Sequence, residues 1–254
     1  MIETALYMIP VGMSDARPDC VVPPVNIEIC RELRYFIVEN VRTARRWLRR
    51  CDPGFSFDGV TFFELNRHTE RKEIFSMLEP LRQGNPMGVM SEAGCPGVAD
   101  PGAEAVAIAR KEGLRVVPLV GPSSILMSLM ASGFNGQSFC FNGYLPIDDT
   151  ERREALKRLE AESNSYGRTQ IFIETPYRNN KMLEAVCEVL RPETRLCVAC
   201  CITDPEHESI KTMSIDEWRH ERSNYNKLPV IFLFQARENA NGNVNFNKDR
   251  RKRR

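Results

Sequence analysis

The chain has 254 residues, 42% of them hydrophobic and 27% charged, and its formal net charge is +1. This length suffices for one large or two modest α/β domains with a buried core. No apolar run approaches the roughly 18 to 20 residues of a membrane helix, and no signal-peptide pattern opens the sequence. We therefore expect a soluble, untargeted, cytoplasmic protein without a membrane-spanning segment.

The charge is unevenly distributed along the chain. The last seven residues read KDRRKRR, so six bases and one acid end a chain whose remainder is slightly acidic. A basic tail on such a body suggests an anionic polymer as partner. The alternative is a disordered segment that only keeps the protein soluble.

The nine cysteines are odd in number and lie mostly inside apolar runs, which favours free thiols in a reducing compartment over a disulfide framework. Cys197 and Cys200 have the C-x-x-C spacing but fall in the strand-like run RLCVACCI, where alternation directs them to opposite faces. No second pair of ligands stands near them at zinc spacing. We predict buried cysteines and no metal site.

Strand-like and helix-like runs alternate through the first half in this order: ALYMIPV, NIEICREL, YFIVE, VRTARRWLRR, TFFEL, TERKEIFSMLEPLRQG, MGVMS, PGAEAVAIARKEG and RVVPLV. This alternation predicts a mostly parallel sheet with helices on its faces. In open sheets of that kind, ligands bind at the carboxyl ends of the strands.

The second half continues with ILMSLMASG, SFCFNGYLP, TERREALKRLEAE, TQIFIE, NNKMLEAVCEVL, RLCVACCI and LPVIFLFQ. Strands outnumber helices toward its end, which predicts a mixed sheet with antiparallel pairs. The turn at Gly121 and Pro122 marks a plausible junction. We predict an N-terminal α/β domain over 1–119, a C-terminal α/β domain over 120–237 and a flexible basic tail over 238–254.

The stretch SEAGCPGVADPG, residues 91–102, follows a predicted strand. Its glycines allow a close approach of the backbone to a ligand, and its prolines fix that approach in advance. Asp100 and Pro101 are also a standard pairing at the start of a helix, so an acidic turn that caps the helix at 102 is the simpler interpretation. Capping does not account for the stretch from Gly94 to Gly97.

Four motifs now stand in order: SEAGCPGVADPG, VVPLVGPSS, GYLP and FIETPYR. Together they resemble those of the tetrapyrrole methylase-like superfamily of methyltransferases that use S-adenosylmethionine (SAM). The resemblance is strongest to the small-subunit rRNA methyltransferase I group, which methylates a cytidine 2′-hydroxyl of 16S rRNA. It implies a class III methyltransferase-like fold of two α/β domains, with a cofactor cleft between them, and a homodimer.

The resemblance also implies which residues bind the cofactor. They are Pro10, Ser91, Glu92, Ala93, Gly94, Val98, Asp100, Ser123, Ser124, Leu145 and Glu174. The front of the chain departs from the group's pattern: IPVGMSDARPD replaces a loop that ends in Gly-Asn, and Asn40 stands where an aspartate is usual.

Methyl transfer to a ribose hydroxyl requires close positioning of the acceptor oxygen, and a nearby base or cation helps the reaction. Glu39 and Arg42 follow the second predicted strand and are the first candidates for these catalytic roles. Glu174 and Arg178 come next. The alternative for each residue is an ordinary surface ion pair.

Within VRTARRWLRR, five arginines recur at helical spacing and share one stripe, namely Arg42, Arg45, Arg46, Arg49 and Arg50. Their mutual repulsion would be relieved by a phosphate backbone. With Arg178 they form the candidate RNA-binding set, against the alternative of a solvated face.

The leading hypothesis is therefore a SAM-dependent ribose 2′-O-methyltransferase of small-subunit rRNA, acting on rRNA or the 30S subunit. A tetrapyrrole C-methyltransferase and a non-catalytic RNA-binding protein of the same fold remain as alternatives.

Overall fold

The computed structural model of the protein describes residues 2–236. The predicted tail over 238–254 lies outside the described residues. The described residues divide into two compact units: a first unit of residues 2–127 and 201–208, and a second unit of residues 128–200 and 209–236. The predicted domain boundary after residue 119 stays a prediction.

The described part of the first unit contains one five-stranded sheet with the order β3-β2-β4-β1-β5. Every neighbouring pair is parallel. The strands are β1 (Leu6–Met8), β2 (Tyr35–Val38), β3 (Thr61–Glu64), β4 (Met87–Met90) and β5 (Val116–Pro118). The predicted parallel N-terminal sheet is confirmed.

Helices cover both faces of this sheet because its strand residues alternate between two buried layers. Phe36 packs in a core cluster with Trp47 and Leu48, whereas Ile37 packs in a second cluster with Leu78. The helices of the first unit are α1 (Pro24–Glu32), α2 (Val41–Cys51), α3 (Arg71–Met77), α4 (Glu79–Arg82) and α5 (Gly102–Lys111). A short 3₁₀ helix (Pro18–Cys20) precedes α1. A further helix, α6 (Ser124–Ser132), begins in the first unit and ends in the second.

The described part of the second unit contains a mixed five-stranded sheet with the order β6-β7-β10-β8-β9, in which only β6 and β7 are parallel neighbours. Its elements are β6 (Phe139–Tyr144), α7 (Asp149–Tyr166), β7 (Thr169–Ile173), a 3₁₀ helix (Pro176–Arg178), α8 (Asn179–Val189), β8 (Arg195–Cys200), β9 (Ser209–Ser214), α9 (Ile215–Trp218) and β10 (Val230–Gln235). The prediction of a mixed C-terminal sheet is confirmed.

Two local features differ from the sequence prediction. The single helix expected over TERKEIFSMLEPLRQG is divided into α3 and α4 at Leu78, because Pro80 has no backbone N–H to continue the helical bonds of α3. Strand β9 was not predicted; it carries the mixed sequence SIKTMS, and its residues are only half-buried.

None of the nine cysteines forms a disulfide bond, and Cys197 and Cys200 are both buried, as predicted for that pair. Burial raises the pKa of the Cys30 thiol to about 12. Among the described residues, no group of His, Cys, Asp and Glu side chains is arranged to hold a metal ion. No helix in the same range combines the length and apolar character that crossing a membrane would need.

Candidate active site

The carboxyl ends of four strands meet at one edge of the first unit's sheet, because all its strands are parallel. Pro10 follows β1, Glu39 follows β2, Ser91 follows β4 and Gly121 lies shortly after β5. This is the edge at which open α/β sheets bind ligands. We call the three loops after β1, β4 and β5 the loop cluster, with residues 9–12, 91–100 and 119–122.

Backbone hydrogen bonds join the first two loops of the cluster. The Val11 N–H donates to the Gly94 carbonyl, and the Gly94 N–H donates to the Val11 carbonyl, both at 2.9 Å. Gly94 has a φ of 72°, a conformation that residues with a side chain rarely adopt. The glycine therefore allows the loop after β4 to turn back onto the loop after β1.

The third loop is held to the other two by close contacts. The Cys95 thiol donates to the Pro122 carbonyl at 3.2 Å. Gly121 lies so close to Pro10 that an added Cβ would be 2.1 Å from the Pro10 Cβ. The loop cluster is therefore tightly packed, so its backbone is held in place before any ligand arrives.

Asp100 closes the loop after β4. Its carboxylate accepts from the Gly97 N–H at 2.9 Å and from the Gly102 N–H at 2.7 Å, at the start of α5. Burial raises the pKa of Asp100, and the hydrogen bonds from backbone amides oppose that effect. Asp100 thus bonds the first amide of α5 from the turn before the helix, but the N-cap residue is Pro101 and not Asp100 as the simpler interpretation predicts. The same carboxylate also shapes the turn from Gly97 onward.

Glu39 lies beside Glu92 and Asp100. Its Oε2 atom accepts from the Glu92 N–H at 2.7 Å. Burial raises the pKa of Glu39, and the charges of Asp100 and Glu92 raise it further, whereas the bond from the Glu92 amide lowers it. Three carboxyl groups thus give this edge a negative potential, and two of them, Glu39 and Asp100, have an increased affinity for a proton.

Asn40 fixes the start of α2 next to these acids. Its side-chain oxygen accepts from the backbone N–H of Arg42 at 2.9 Å and of Thr43 at 3.1 Å. The Thr43 hydroxyl also lies 3.5 Å from the Glu92 carboxylate. Asn40 is therefore an N-cap residue. In the sequence it stood out only because it replaces the usual aspartate, and the capping role was not predicted.

Helix α2 presents the predicted arginine stripe. Arg42, Arg45, Arg46 and Arg49 are exposed, and the opposite face buries Ala44, Trp47 and Leu48. Arg50 differs from the other four. Its guanidinium donates to the Ala16 carbonyl at 2.9 Å and lies 3.3 Å from the Asp15 carboxylate, so it fastens the loop after β1.

Other predicted cofactor residues have the following environments. Ser123 precedes α6, and its hydroxyl accepts from the Leu126 N–H at a long 3.5 Å, while Ser124 is the first residue of that helix. Ala93 and Val98 are exposed in the loop after β4, and the Ser91 hydroxyl donates to the Ala93 carbonyl at 3.1 Å.

The remaining predicted residues lie in the second unit. Leu145 is buried just after β6. Glu174 follows β7 and is 8% exposed, and its Oε1 atom accepts from the Arg178 Nε at 3.1 Å. The Arg178 side chain is 30% exposed, so the two residues form a partly buried ion pair.

The loop cluster, together with Glu39 after β2, has the chemical groups that a SAM site requires. Backbone amides and carbonyls suit the adenine and the amino-acid carboxylate, and the carboxylates of Glu39, Glu92 and Asp100 supply negative potential for a sulfonium cation. The sequence motifs identified the loop after β4. They did not show that Cys95 bonds to the Pro122 carbonyl or that Gly121 packs on Pro10, since those contacts join residues far apart in the chain.

The fold is that of the class III, tetrapyrrole methylase-like methyltransferases. A crystal structure of the methyltransferase CobJ matches with a TM-score of 0.61 at 18% identity, over 91% of this chain and 94% of that one. The cobalt precorrin-4 methyltransferase CbiF matches with a TM-score of 0.59 at 15% identity, over 91% and 95%. The predicted fold class is confirmed, and no protein-family model matches the sequence.

Several sequence relatives carry the name ribosomal RNA small subunit methyltransferase I. The protein of Escherichia coli O157:H7 is 34% identical over 177 residues, which are 68% of this chain and 60% of that protein. The protein of Haemophilus influenzae is 32% identical over 185 residues, or 72% and 64%. The protein of Pseudomonas aeruginosa is 28% identical over 215 residues, or 84% and 73%.

The chain is thus a homologue of these proteins, and the resemblance predicted from its motifs is confirmed. The matched region spans less than two thirds of the length of the E. coli and H. influenzae proteins.

Proposed function

We propose that this protein is a SAM-dependent methyltransferase that methylates a ribose 2′-hydroxyl of small-subunit rRNA. The observation that carries the proposal is the loop cluster with the adjoining Glu39. Packed, glycine-rich backbone and three carboxyl groups meet there, at the ligand-binding edge of a parallel sheet. The names of the sequence relatives support rRNA as the acceptor.

The cofactor would contact the loop after β4, from Ser91 to Asp100, and the segment from Gly121 to Ser124. When bound, SAM supplies an electrophilic methyl group on a positively charged sulfur. The carboxylates of Glu39, Glu92 and Asp100 would stabilise that charge. The predicted contributions of Leu145 and Glu174 belong to the same proposal.

We assign Glu39 as the base that accepts the proton of the ribose hydroxyl. A ribose hydroxyl is a poor nucleophile while it is protonated, so a base that accepts the proton as the new O–C bond forms lowers the barrier. A raised pKa makes the Glu39 carboxylate a stronger base than an exposed glutamate. Arg42, at the first turn of α2, would neutralise the phosphate next to the acceptor ribose.

The exposed arginines of α2 would hold the RNA, with Arg178 as a further contact from the second unit. Arg50 would support them by keeping the loop after β1 in place. We further propose that the protein acts as a cytoplasmic homodimer, as the resemblance implies.

A second candidate is a tetrapyrrole C-methyltransferase, which the solved structures of similar fold favour. The four exposed arginines of α2 argue for the RNA acceptor, since a tetrapyrrole gives no reason for a stripe of that length.

Two measurements test the proposal. Calorimetric titration with SAM should give one site per chain, and the absence of binding would contradict the enzymatic assignment. The purified protein should then incorporate labelled methyl groups into 30S subunits from a strain lacking the homologous enzyme. Nuclease mapping should place the label on a ribose. A label on a base, or transfer only to a tetrapyrrole, would refute the proposed reaction.

Glu39→Gln separates the role of the proton acceptor from that of the fold. The amide oxygen can still accept the Glu92 N–H, so the site should still bind SAM, with an affinity lowered only a few-fold by the loss of one of three negative charges. The methylation rate at saturating SAM should fall about 100-fold or more. Glu104→Gln, at an exposed acid of α5, is the matched control. An unchanged rate in Glu39→Gln would remove Glu39 from the reaction.

A further inference from the structure

Two of the exposed arginines of α2 are held by an aromatic ring. The Arg45 guanidinium carbon lies 4.5 Å from the centroid of the Phe57 ring, and that of Arg49 lies 5.1 Å from it. Both distances are within the range of cation–π attraction. Among residues 2–236, neither arginine is ion-paired with a carboxylate.

Phe57 is itself fixed in place. Its ring lies 5.1 Å from that of Phe55, which is buried, and 6.2 Å from that of Phe62 on β3. Phe57 remains partly accessible. The Phe57 ring therefore supports the exposed side chains of Arg45 and Arg49 from a fixed position.

A guanidinium that packs on an aromatic ring keeps more of its N–H donors available than one that pairs with a carboxylate. A carboxylate partner would occupy the in-plane N–H donors of a guanidinium, whereas a ring contacts only its flat face. Arg49 uses one donor on the Pro53 carbonyl at 3.0 Å. Within the described part of the chain, the other donors of the two arginines have no protein partner and are available to a ligand. Their side chains have already lost part of the rotamer freedom that binding would otherwise remove.

The ligand must be anionic and extended. Two guanidiniums near one ring repel each other, and a ligand with several negative oxygens removes that repulsion. Arg42 and Arg46 continue the same stripe, and the distance from residue 42 to residue 49 along the helix axis is about 10 Å. A chain of phosphates matches such a run better than a single small anion does.

We propose that Arg45, Phe57 and Arg49 form a preorganised phosphate-binding site that holds the backbone of an RNA strand. The proposal rests on the proposed rRNA substrate and adds a specific element to it. Phe57 contributes no charge; it positions the two arginines that do.

The test separates positioning from charge. RNA affinity of the full chain is measured by fluorescence anisotropy with a labelled small-subunit rRNA fragment, over a range of salt concentrations. Phe57→Leu keeps every charge, so the dependence of affinity on salt should be unchanged while the affinity falls about three- to ten-fold at fixed salt. Phe57→Tyr keeps an aromatic ring at this position and should bind RNA with wild-type affinity.

Arg45→Gln and Arg49→Gln should each reduce the slope of log affinity against log salt by about one. Both positions are exposed, so these variants keep the test valid even if Phe57→Leu lowers stability. Arg110→Gln, on the exposed face of α5, is the matched control and should leave RNA binding unchanged.

An unchanged affinity in Phe57→Leu would overturn the proposal, and so would unchanged salt slopes in both arginine variants. Equal displacement of the RNA by polyglutamate would also overturn it, since the site would then bind acidic chains in general. SAM titration of the same variants should match the wild type. Failure of the wild type to bind SAM would refute the proposed enzyme while the RNA-binding result stands separately.

Discussion

Replacement of Gly121 by alanine is the sharpest test of the loop cluster. The added Cβ would be 2.1 Å from the Pro10 Cβ and 2.5 Å from its Cγ. Carbon atoms in contact normally lie about 3.5 to 4.0 Å apart. The proline ring cannot rotate away because its torsion is fixed. The loops after β1 and β5 must therefore separate by more than about 1 Å.

Overpacking of this kind typically lowers the free energy of unfolding by about 1 to 3 kcal/mol. We expect Gly121→Ala to fall at the upper end of this range, because neither the added Cβ nor the Pro10 ring can turn away without moving the backbone. The displacement also moves the amides near Gly94, which bond to the loop after β1. We therefore expect SAM affinity to fall about ten-fold or more, which is about 1.4 kcal/mol of binding free energy.

Urea unfolding and calorimetric titration with SAM measure the two effects. Gly136→Ala is the matched control, since its Cβ would meet no atom within 4 Å and its backbone lies outside the left-handed region. The control should change the free energy of unfolding by less than about 0.5 kcal/mol. If Gly121→Ala matched the control in both measurements, the packing of Gly121 on Pro10 would have no energetic importance, and the argument for a preformed cofactor site would be refuted.

Three further predictions follow from individual contacts. Asn40→Ala should lower the free energy of unfolding by about 1 kcal/mol in urea titrations, because α2 loses its N-cap, whereas Asn40→Asp should retain wild-type stability. Burial raises the pKa of Glu39, so the folded protein keeps the Glu39 proton to a higher pH than the unfolded chain does. The free energy of unfolding of the wild type therefore falls as the pH rises from the ordinary glutamate pKa through the raised pKa of the folded state. Urea titrations at a series of pH values should therefore show Glu39→Gln gaining stability over the wild type with rising pH above about 4, and a difference independent of pH would contradict this. Arg178→Ala should destabilise the protein by about 1 to 3 kcal/mol in thermal unfolding, because the buried Glu174 loses its partner, whereas Arg153→Ala, which breaks more exposed pairs, should cost less than about 1 kcal/mol.

The helices and most strands follow from local sequence. The arginine stripe of α2 has the period of a helix, and four of its five arginines are exposed as the spacing predicts, whereas Arg50 is half-buried against the loop after β1. Strand β9 was missed because SIKTMS is half-buried, so its sequence lacks a clear apolar alternation. Pairing with β8 makes it a strand, and that partner is a tertiary contact.

The sequence by itself determined the class of fold, the loop that follows β4 and the basic face of α2, since each depends on residues that are neighbours along the chain. Only the tertiary structure decided that Gly121 packs on Pro10, that Glu39 accepts the Glu92 amide, and that Phe57 supports two arginines. These contacts arise from the strand order β3-β2-β4-β1-β5 and the packing of helices on it. Pairing of distant strands is set by the burial of whole faces, which no single segment of sequence records.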